Sequence, residues 1–140
     1  MVDYKEIASY IIILAVVLIV AQHLNVVVSG SMEPAFYRGD IVAVQKADLL
    51  GIHEFDPKDV KIGDIVVYDA KWFDQPVIHR IIDTKKINGT TMYVIKGDNN
   101  NRTDPYYVSA DQIQAKVMTF NGHPVVIPKI GYLSLWLRGL

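Results

Sequence analysis

The chain has 140 residues, of which 51% are hydrophobic, and it carries 14 Lys plus Arg against 15 Asp plus Glu, with four His and no Cys. This length allows one compact domain and one short appended segment. Beyond residue 28 there remain 13 basic and 13 acidic side chains, a balance that argues against a surface that coats nucleic acid. The lack of cysteine excludes disulfides, thiol nucleophiles and cysteine-ligated zinc.

The N-terminal segment predicts a membrane helix. Residues 7–21 read IASYIIILAVVLIVA, in which only Ser9 and Tyr10 interrupt the apolar run. A helix of about 15 to 20 residues rises roughly 22 to 30 Å, close to the hydrocarbon thickness of a bilayer. A helix buried inside a soluble domain is the alternative, but a domain this small would have to cover it on every side.

The charges near this segment disfavour a cleavable signal peptide, because Lys5 is offset by Asp3 and Glu6. Basic residues are too sparse on either flank to decide the orientation of the helix in a membrane. We therefore expect residues 1–28 to form an uncleaved anchor and residues 29–140 to form a separate domain.

Beyond residue 28, short β-rich runs are bounded by Gly, Asp, Asn and Pro, without a long helical period, which predicts a mainly β domain. Gly39-Asp40 and Gly63-Asp64 each precede a β-branched run and predict a turn followed by a strand. Asn88-Gly89 and Asn121-Gly122 predict tight hairpins, because both central positions of a type I′ turn need a positive φ.

The first hairpin allows its register to be followed away from the turn. A two-residue loop sets Ile87 opposite Thr90, and unbroken pairing then sets His79 opposite Asp98. This pairing requires that no bulge intervenes. It predicts an imidazole beside a carboxylate, with an accidental surface pair as the alternative.

Ser31 is a candidate nucleophile directly after the membrane segment, flanked by Ser29, Gly30 and Pro34. An ordinary turn or a helix cap is the alternative reading of Ser-Gly-Ser. A serine hydroxyl becomes nucleophilic only with a neighbouring base, and the oxyanion that it creates needs hydrogen-bond donors.

Four histidines are candidates for that base. His23 lies at the end of the membrane segment and His53 in a polar loop, and neither has an obvious orienting carboxylate. His123 follows the Asn121-Gly122 turn and precedes Pro124, which indicates a loop-facing side chain. His79 alone lies within a predicted strand beside a candidate acid, Asp98. We therefore favour His79.

The polar segment 97–105 does not fit a calcium loop, since Arg102 and Ser109 occupy two of the positions where a loop starting at Asp98 needs oxygen ligands. We expect neither a metal ion nor another cofactor.

These residues form ordered blocks that resemble the type I signal peptidases, in the branch found in archaea and in the catalytic subunit of the endoplasmic reticulum complex. The resemblance covers nearly the whole chain. After the N-terminal anchor, the blocks are Ser29-Gly30-Ser31-Met32-Glu33-Pro34 with Arg38-Gly39-Asp40, Pro76-Val77-Ile78-His79-Arg80, Lys96-Gly97-Asp98-Asn99-Asn100 with Asp104, and Pro128-Lys129-Ile130-Gly131-Tyr132.

The resemblance implies a role for each site residue. Ser31 would be the nucleophile, His79 the general base and Asp104 the orienting acid, with the backbone N–H of Ser31 and the hydroxyl of Ser29 binding the oxyanion. Asp98 matches a further acid of the family, and the register brings it nearest to His79. Asp98 is therefore the supporting or alternative acid, while the motif position favours Asp104.

The resemblance also implies a compact antiparallel β-sheet catalytic domain preceded by one transmembrane helix. The implied activity is that of a serine endopeptidase that removes signal peptides from secreted and membrane preproteins by cutting after small residues, through an acyl-enzyme. Its partners would be preproteins and the lipid bilayer, with the protein translocation channel as a further candidate. The catalytic domain would lie on the extracytoplasmic or lumenal face of a single-pass protein.

Two alternatives stay open. One is a membrane-tethered β-module that binds peptides or assembles with partners without cutting them. The other is a Ser/Lys protease with Lys85, Lys86 or Lys96 as its base. Candidates for the substrate subsites are Met32, Phe36, Ile78 and Ile81, each of which fits an ordinary β core equally well.

Overall fold

The computed structural model describes residues 1–128 and 135–139, so most of the 128–132 motif lies outside the described residues. Within this part of the chain, helix α1 is followed by ten short strands and by two 3₁₀ turns at Pro57–Asp59 and Ala110–Gln112. The helix is Tyr4–Gln22, and the strands are β1 Leu24–Val26, β2 Ile41–Lys46, β3 Ile65–Tyr68, β4 Val77–Ile87, β5 Thr90–Lys96, β6 Val108–Ser109, β7 Ile113–Val117, β8 Thr119–Phe120, β9 His123–Pro124 and β10 Val126–Ile127.

Helix α1 has 19 residues, none of them buried, and is long and apolar enough to cross a membrane by length and composition. The side chain of Asp3 caps its start by accepting from the backbone N–H of Lys5. The helix ends at Gln22, well before residue 28. Leu24–Val26 form strand β1 instead, and Val27 is buried in the core. The helix therefore covers residues 4–22 of the expected 1–28 segment.

The main sheet has the order β1-β2-β7-β3-β4-β5-β6, with β10 also pairing with β2. All of these pairs are antiparallel, as is the separate pair β8–β9. The mainly β, antiparallel class expected from the sequence is confirmed. The order sets β3 between β7 and β4, so β3 and β4 lie inside the sheet.

Both Asn-Gly dipeptides form the turns that the sequence predicts. Asn88 and Gly89 have φ angles of 51° and 79°, and Asn121 and Gly122 have 50° and 78°. These are the positive values that a type I′ turn requires. The first turn joins β4 to β5, and the second joins the short strands β8 and β9.

The register of the first hairpin changes partway along its strands. The five pairs next to the turn follow the predicted pairing, but Ile82 is then the extra residue of a bulge, and Arg80 pairs with Lys96. One extra residue shifts every later pair by one position. The predicted pairing of His79 with Asp98 is therefore wrong.

The core consists of two clusters of buried side chains on this sheet. Met32 and Phe36 are buried in one cluster and Ile81 in the other, which makes them core residues rather than exposed subsite walls. Ile78 is only half-buried. Among the described residues, the polar or charged residues that are buried as a whole are Asp40 and His79.

His23 joins the end of α1 to the loop before β3. Its Nδ1 lies 2.7 Å from the carbonyl oxygen of Ile19, and its Nε2 lies 2.8 Å from the carboxylate of Glu54. Both partners only accept hydrogen bonds, so the protonated ring, which donates from both nitrogens, satisfies both contacts. The expectation that His23 has no orienting carboxylate is corrected, because a loop distant in sequence supplies one.

Hydrogen bonds to Ile19 and Glu54 raise the pKa of His23. The backbone N–H of Lys46, followed by His23, lowers the pKa of Glu54. The raised pKa means that the His23 contribution to stability is complete below the unfolded value of about 6.5 and is lost as pH rises through the folded value. The Glu54 contribution is lost as pH falls through its lowered pKa.

We expect Glu54→Gln to move the titration midpoint of the His23 ring to lower pH, because the anion that stabilises the imidazolium is gone. NMR of the ring protons in detergent micelles measures this midpoint. Asp48→Asn, a neutralised carboxylate in the same loop, is the control and should leave the midpoint in place. An unchanged midpoint in Glu54→Gln would contradict the ion pair.

Candidate active site

The loop that carries Ser31 is fixed at its base. The backbone N–H of Val27 donates to the carbonyl of Asp40, and the N–H of Gly39 donates back to the carbonyl of Val27. The Asp40 carboxylate accepts from the N–H of Tyr37 at 2.8 Å. Met32, next to Ser31, is fully buried. The turn that presents Ser31 is therefore held both by backbone pairing and by an apolar anchor.

A second turn packs directly on this loop. The backbone N–H of Asn99 donates to the carbonyl of Ser31 at 2.8 Å, and its side-chain Nδ2 donates to the carbonyl of Gly30 at 3.0 Å. A Cβ at Gly97 would lie 2.7 Å from the same Ser31 oxygen, so only glycine allows this approach. The sequence analysis did not anticipate these contacts, since they join residues 66 or more positions apart.

His79 reaches Ser31 from strand β4, where it lies opposite Val66 of β3. Its Nε2 is 2.9 Å from Ser31 Oγ, and its Nδ1 is 2.8 Å from Asp104 Oδ2. The side chains of His79 and Asp104 are 6% and 3% exposed. Because a carboxylate only accepts, it selects the tautomer with a proton on Nδ1 and leaves Nε2 free to accept the serine proton.

Asp104 reaches the imidazole because the chain after β5 folds back on that strand. Its backbone N–H donates to the carbonyl of Ile95 at 2.8 Å. The hydroxyl of Tyr68 donates to its Oδ2 at 2.6 Å. The structure thus brings Ser31, His79 and Asp104 together.

Asp98 instead forms a two-pronged ion pair with Arg80. Nε and Nη2 of Arg80 donate to the two carboxylate oxygens at 2.8 Å each, and Nη1 donates to the carbonyl of Gly63 at 2.9 Å. The bond to Asp98 raises the pKa of Arg80. Asp98 thus forms its ion pair with Arg80, one residue away from His79, the residue that the unbroken register had set opposite it.

Ser29 lies beside the nucleophile candidate, with its Oγ 3.1 Å from Ser31 Oγ. The backbone N–H of Ser31 reaches Ser29 Oγ at only 3.4 Å, near the limit of a hydrogen bond. The Ser29 hydroxyl and the Ser31 N–H thus lie close to each other beside Ser31 Oγ, and both make only long hydrogen bonds.

The other candidate bases have different partners. Lys85 lies 3.5 Å from Asp83, Lys96 donates to the carbonyl of Gly97, and Lys86 lies on β4 near the hairpin turn, in backbone register with Thr91. His53 Nδ1 bonds to a loop carbonyl, and His123 lies in β9. Within the described residues, no three His, Asp or Glu side chains form a group that could hold a metal ion.

A serine, an imidazole and a carboxylate in hydrogen-bonded series form the arrangement by which serine hydrolases are recognised. Here they lie on a β domain that follows an apolar helix. The model of the signal peptidase family, peptidase S26, matches residues 2–117, so the chain belongs to this family.

Its relatives belong to the archaeal and endoplasmic reticulum branch. An uncharacterised protein of Methanocaldococcus jannaschii is 35% identical over 89% of this chain and 88% of its own length. The signal peptidase complex catalytic subunit SEC11 of Lachancea thermotolerans is 35% identical, over 80% of this chain and 64% of its own length. For SEC11 of Pyricularia oryzae the values are 34%, 80% and 62%. The chain thus spans slightly less than two thirds of these SEC11 subunits.

We expect Gly97→Ala to force the two turns apart, since its Cβ would meet the Ser31 carbonyl at 2.7 Å. The Asn99 amide should lose its protection from hydrogen exchange, with a cost of about 1 to 3 kcal/mol for the broken contact. Gly51→Ala is the control. It strains a backbone position with a positive φ but meets no atom within 4 Å, so it should leave the Asn99 amide protected. Retained protection in Gly97→Ala would show that the turns are not in tight contact.

Proposed function

We propose that this protein is a membrane-anchored serine endopeptidase that removes N-terminal signal peptides from preproteins through an acyl-enzyme. The observation that carries the proposal is the series of hydrogen bonds from Ser31 Oγ to His79 Nε2 and from His79 Nδ1 to Asp104. The family match and the names of the SEC11 relatives support the same reaction.

The proposed reaction begins when His79 Nε2 takes the proton of the Ser31 hydroxyl. The serine oxygen attacks the scissile carbonyl carbon, and its electron pair moves to the carbonyl oxygen. Collapse of this intermediate breaks the peptide bond, and the imidazolium gives its proton to the leaving amine. A water molecule, deprotonated by the same imidazole, then releases the acyl group. Asp104 stabilises the imidazolium in each half of the reaction.

The oxyanion would be bound by the N–H of Ser31 and the hydroxyl of Ser29. Their closeness to each other and the length of their present hydrogen bonds support this assignment. Removing one such donor typically costs about 3 kcal/mol of barrier. Asp98 is proposed as a supporting residue, which acts through Arg80 on the shape of the site rather than on the imidazole.

Helix α1 would be the membrane anchor, and residues from β1 onward would form the catalytic domain on the extracytoplasmic or lumenal face. Its length and mean hydropathy support the anchor. Anchoring raises the effective concentration of Ser31 near the end of a membrane-inserted signal sequence. Preproteins cut after small residues are the proposed substrates, and the translocation channel is a proposed partner.

Ser31→Ala and His79→Ala should each lower the rate of preprotein cleavage by about 10³-fold or more, because either change removes the nucleophile or its base. The assay uses full-length protein in detergent with a signal-bearing preprotein, and sequencing of the new N-terminus identifies the cut. His53→Ala is the control and should keep wild-type activity.

The rival functions predict different results. Preprotein binding without cleavage by the wild type would support the non-catalytic module. Loss of turnover in Lys85→Ala, Lys86→Ala or Lys96→Ala, with activity retained in His79→Ala, would support a Ser/Lys protease.

The two acids are distinguished by Asp104→Asn and Asp98→Asn. An amide at 104 can donate to Nδ1 and favour the tautomer whose Nε2 cannot accept a proton, so kcat should fall by about 10³- to 10⁴-fold. Asp98→Asn should lower the melting temperature by weakening the pair with Arg80 while costing far less in kcat. The reverse order of kcat losses would assign the orienting role to Asp98.

A further inference from the structure

Tyr68 lies directly behind the proposed triad. It is on β3, it is 0% exposed, and its ring packs in the apolar cluster that contains Val66 and Ile81. Its hydroxyl donates to Asp104 Oδ2 at 2.6 Å. Burial, followed by the bond to Asp104, raises the pKa of Tyr68 far above that of a free phenol. The hydroxyl therefore stays protonated and remains a donor.

The Tyr68 hydroxyl fixes the orientation of the Asp104 carboxylate. Its two oxygens lie 2.9 and 2.8 Å from His79 Nδ1, so the imidazole alone scarcely distinguishes them. Of the two Asp104 oxygens, Oδ2 is the one that accepts from the Tyr68 hydroxyl. With the Asp104 side chain 3% exposed, water has little access to replace the phenol. The carboxylate plane is thus set by Tyr68 on one side and by His79 on the other.

We propose that Tyr68 is a positioning residue of this site, whose hydroxyl orients the Asp104 carboxylate and withdraws part of its negative charge. The inference rests on the proposed function. A carboxylate that accepts a strong hydrogen bond from a phenol is a weaker acceptor for the Nδ1 proton of His79. Tyr68 therefore acts on His79 through Asp104, both on ring orientation and on how tightly the ring holds a second proton.

Tyr68→Phe and Tyr93→Phe form a matched pair of variants. Tyr93 is also a buried tyrosine of the same cluster, 2% exposed, but its hydroxyl makes only a 3.4 Å bond to the carbonyl of Pro57. Each change removes one buried hydroxyl from the sheet. Only Tyr68→Phe removes a donor to Asp104.

We expect Tyr68→Phe to lower kcat by about tenfold with little change in KM, as expected for the loss of one hydrogen bond to a charged group. The acid limb of the kcat/KM profile should move to higher pH, because an undivided negative charge favours the protonated ring. The groups that bond to the imidazole, Ser31 and Asp104, are the same in both variants, as is the nearby pair of Arg80 with Asp98. Tyr93→Phe should leave both kcat and the profile unchanged.

Replacing Tyr68 by 3,5-difluorotyrosine keeps the hydroxyl and makes it a stronger donor, so the acid limb should move to lower pH. This variant decides the matter if Tyr68→Phe does not fold. Matching profiles for Tyr68→Phe, Tyr93→Phe and wild type, or an unmoved limb in the fluorinated protein, would overturn the inference. If Ser31→Ala and His79→Ala abolish cleavage in the same assay, such a result removes the role of Tyr68 and leaves the proposed function standing.

Discussion

The contact between His79 Nε2 and Ser31 Oγ joins residues that are 48 positions apart, and the rest of the site depends on it. A 2.9 Å bond of this kind tolerates little displacement of either partner, so both need rigid supports. His79 has its support inside the sheet, on a strand paired on both sides. Ser31 lies on a turn outside the sheet. That turn is supported by the backbone pairing of Val27, by buried Met32 and by the 97–99 turn. The domain thus sets the proposed base, on the sheet, against the proposed nucleophile, on a turn.

Local turn chemistry was readable from the sequence because it is decided by two residues at a time. The Asn-Gly dipeptides and the Gly-Asp pairs before β2 and β3 appear where they were predicted. The bulge at Ile82 was not readable, since Ile81 and Ile82 are both β-branched and suit a strand equally well. Only the packing of the whole hairpin decides which of them is left out of the pairing. A one-residue error there moved the predicted neighbour of His79.

The two acids of the 97–105 segment illustrate the same limit. Pairing arithmetic favoured Asp98, and the order of motifs favoured Asp104. The structure gives Asp98 to Arg80 and sets Asp104 against the imidazole. The charges of Asp98 and Arg80 largely cancel in this two-pronged ion pair, so Asp98 contributes little electric field at the His79 imidazole. Asp104 is then the carboxylate that faces His79, and its single negative charge balances the single positive charge of an imidazolium. Contacts such as Asn99 with Ser31 had no sequence signal at all, because they come from two turns meeting in space.

The junction at His23 connects this rigid site to helix α1. Strand β1 begins two residues after the helix ends, and the chain then runs directly into the Ser31 loop. A flexible connection would let the domain rotate relative to the helix, and the distance of Ser31 from a membrane surface would vary widely. The His23 ring instead bonds both to the last turn of the helix and to Glu54 in the loop before β3. If α1 is the anchor, these two contacts limit rotation of the domain about the end of the helix. The few residues between the helix and the Ser31 loop also restrict how far Ser31 can lie from the bilayer surface. Tethering then raises not only the concentration of an emerging peptide near Ser31 but also the fraction of encounters with suitable geometry.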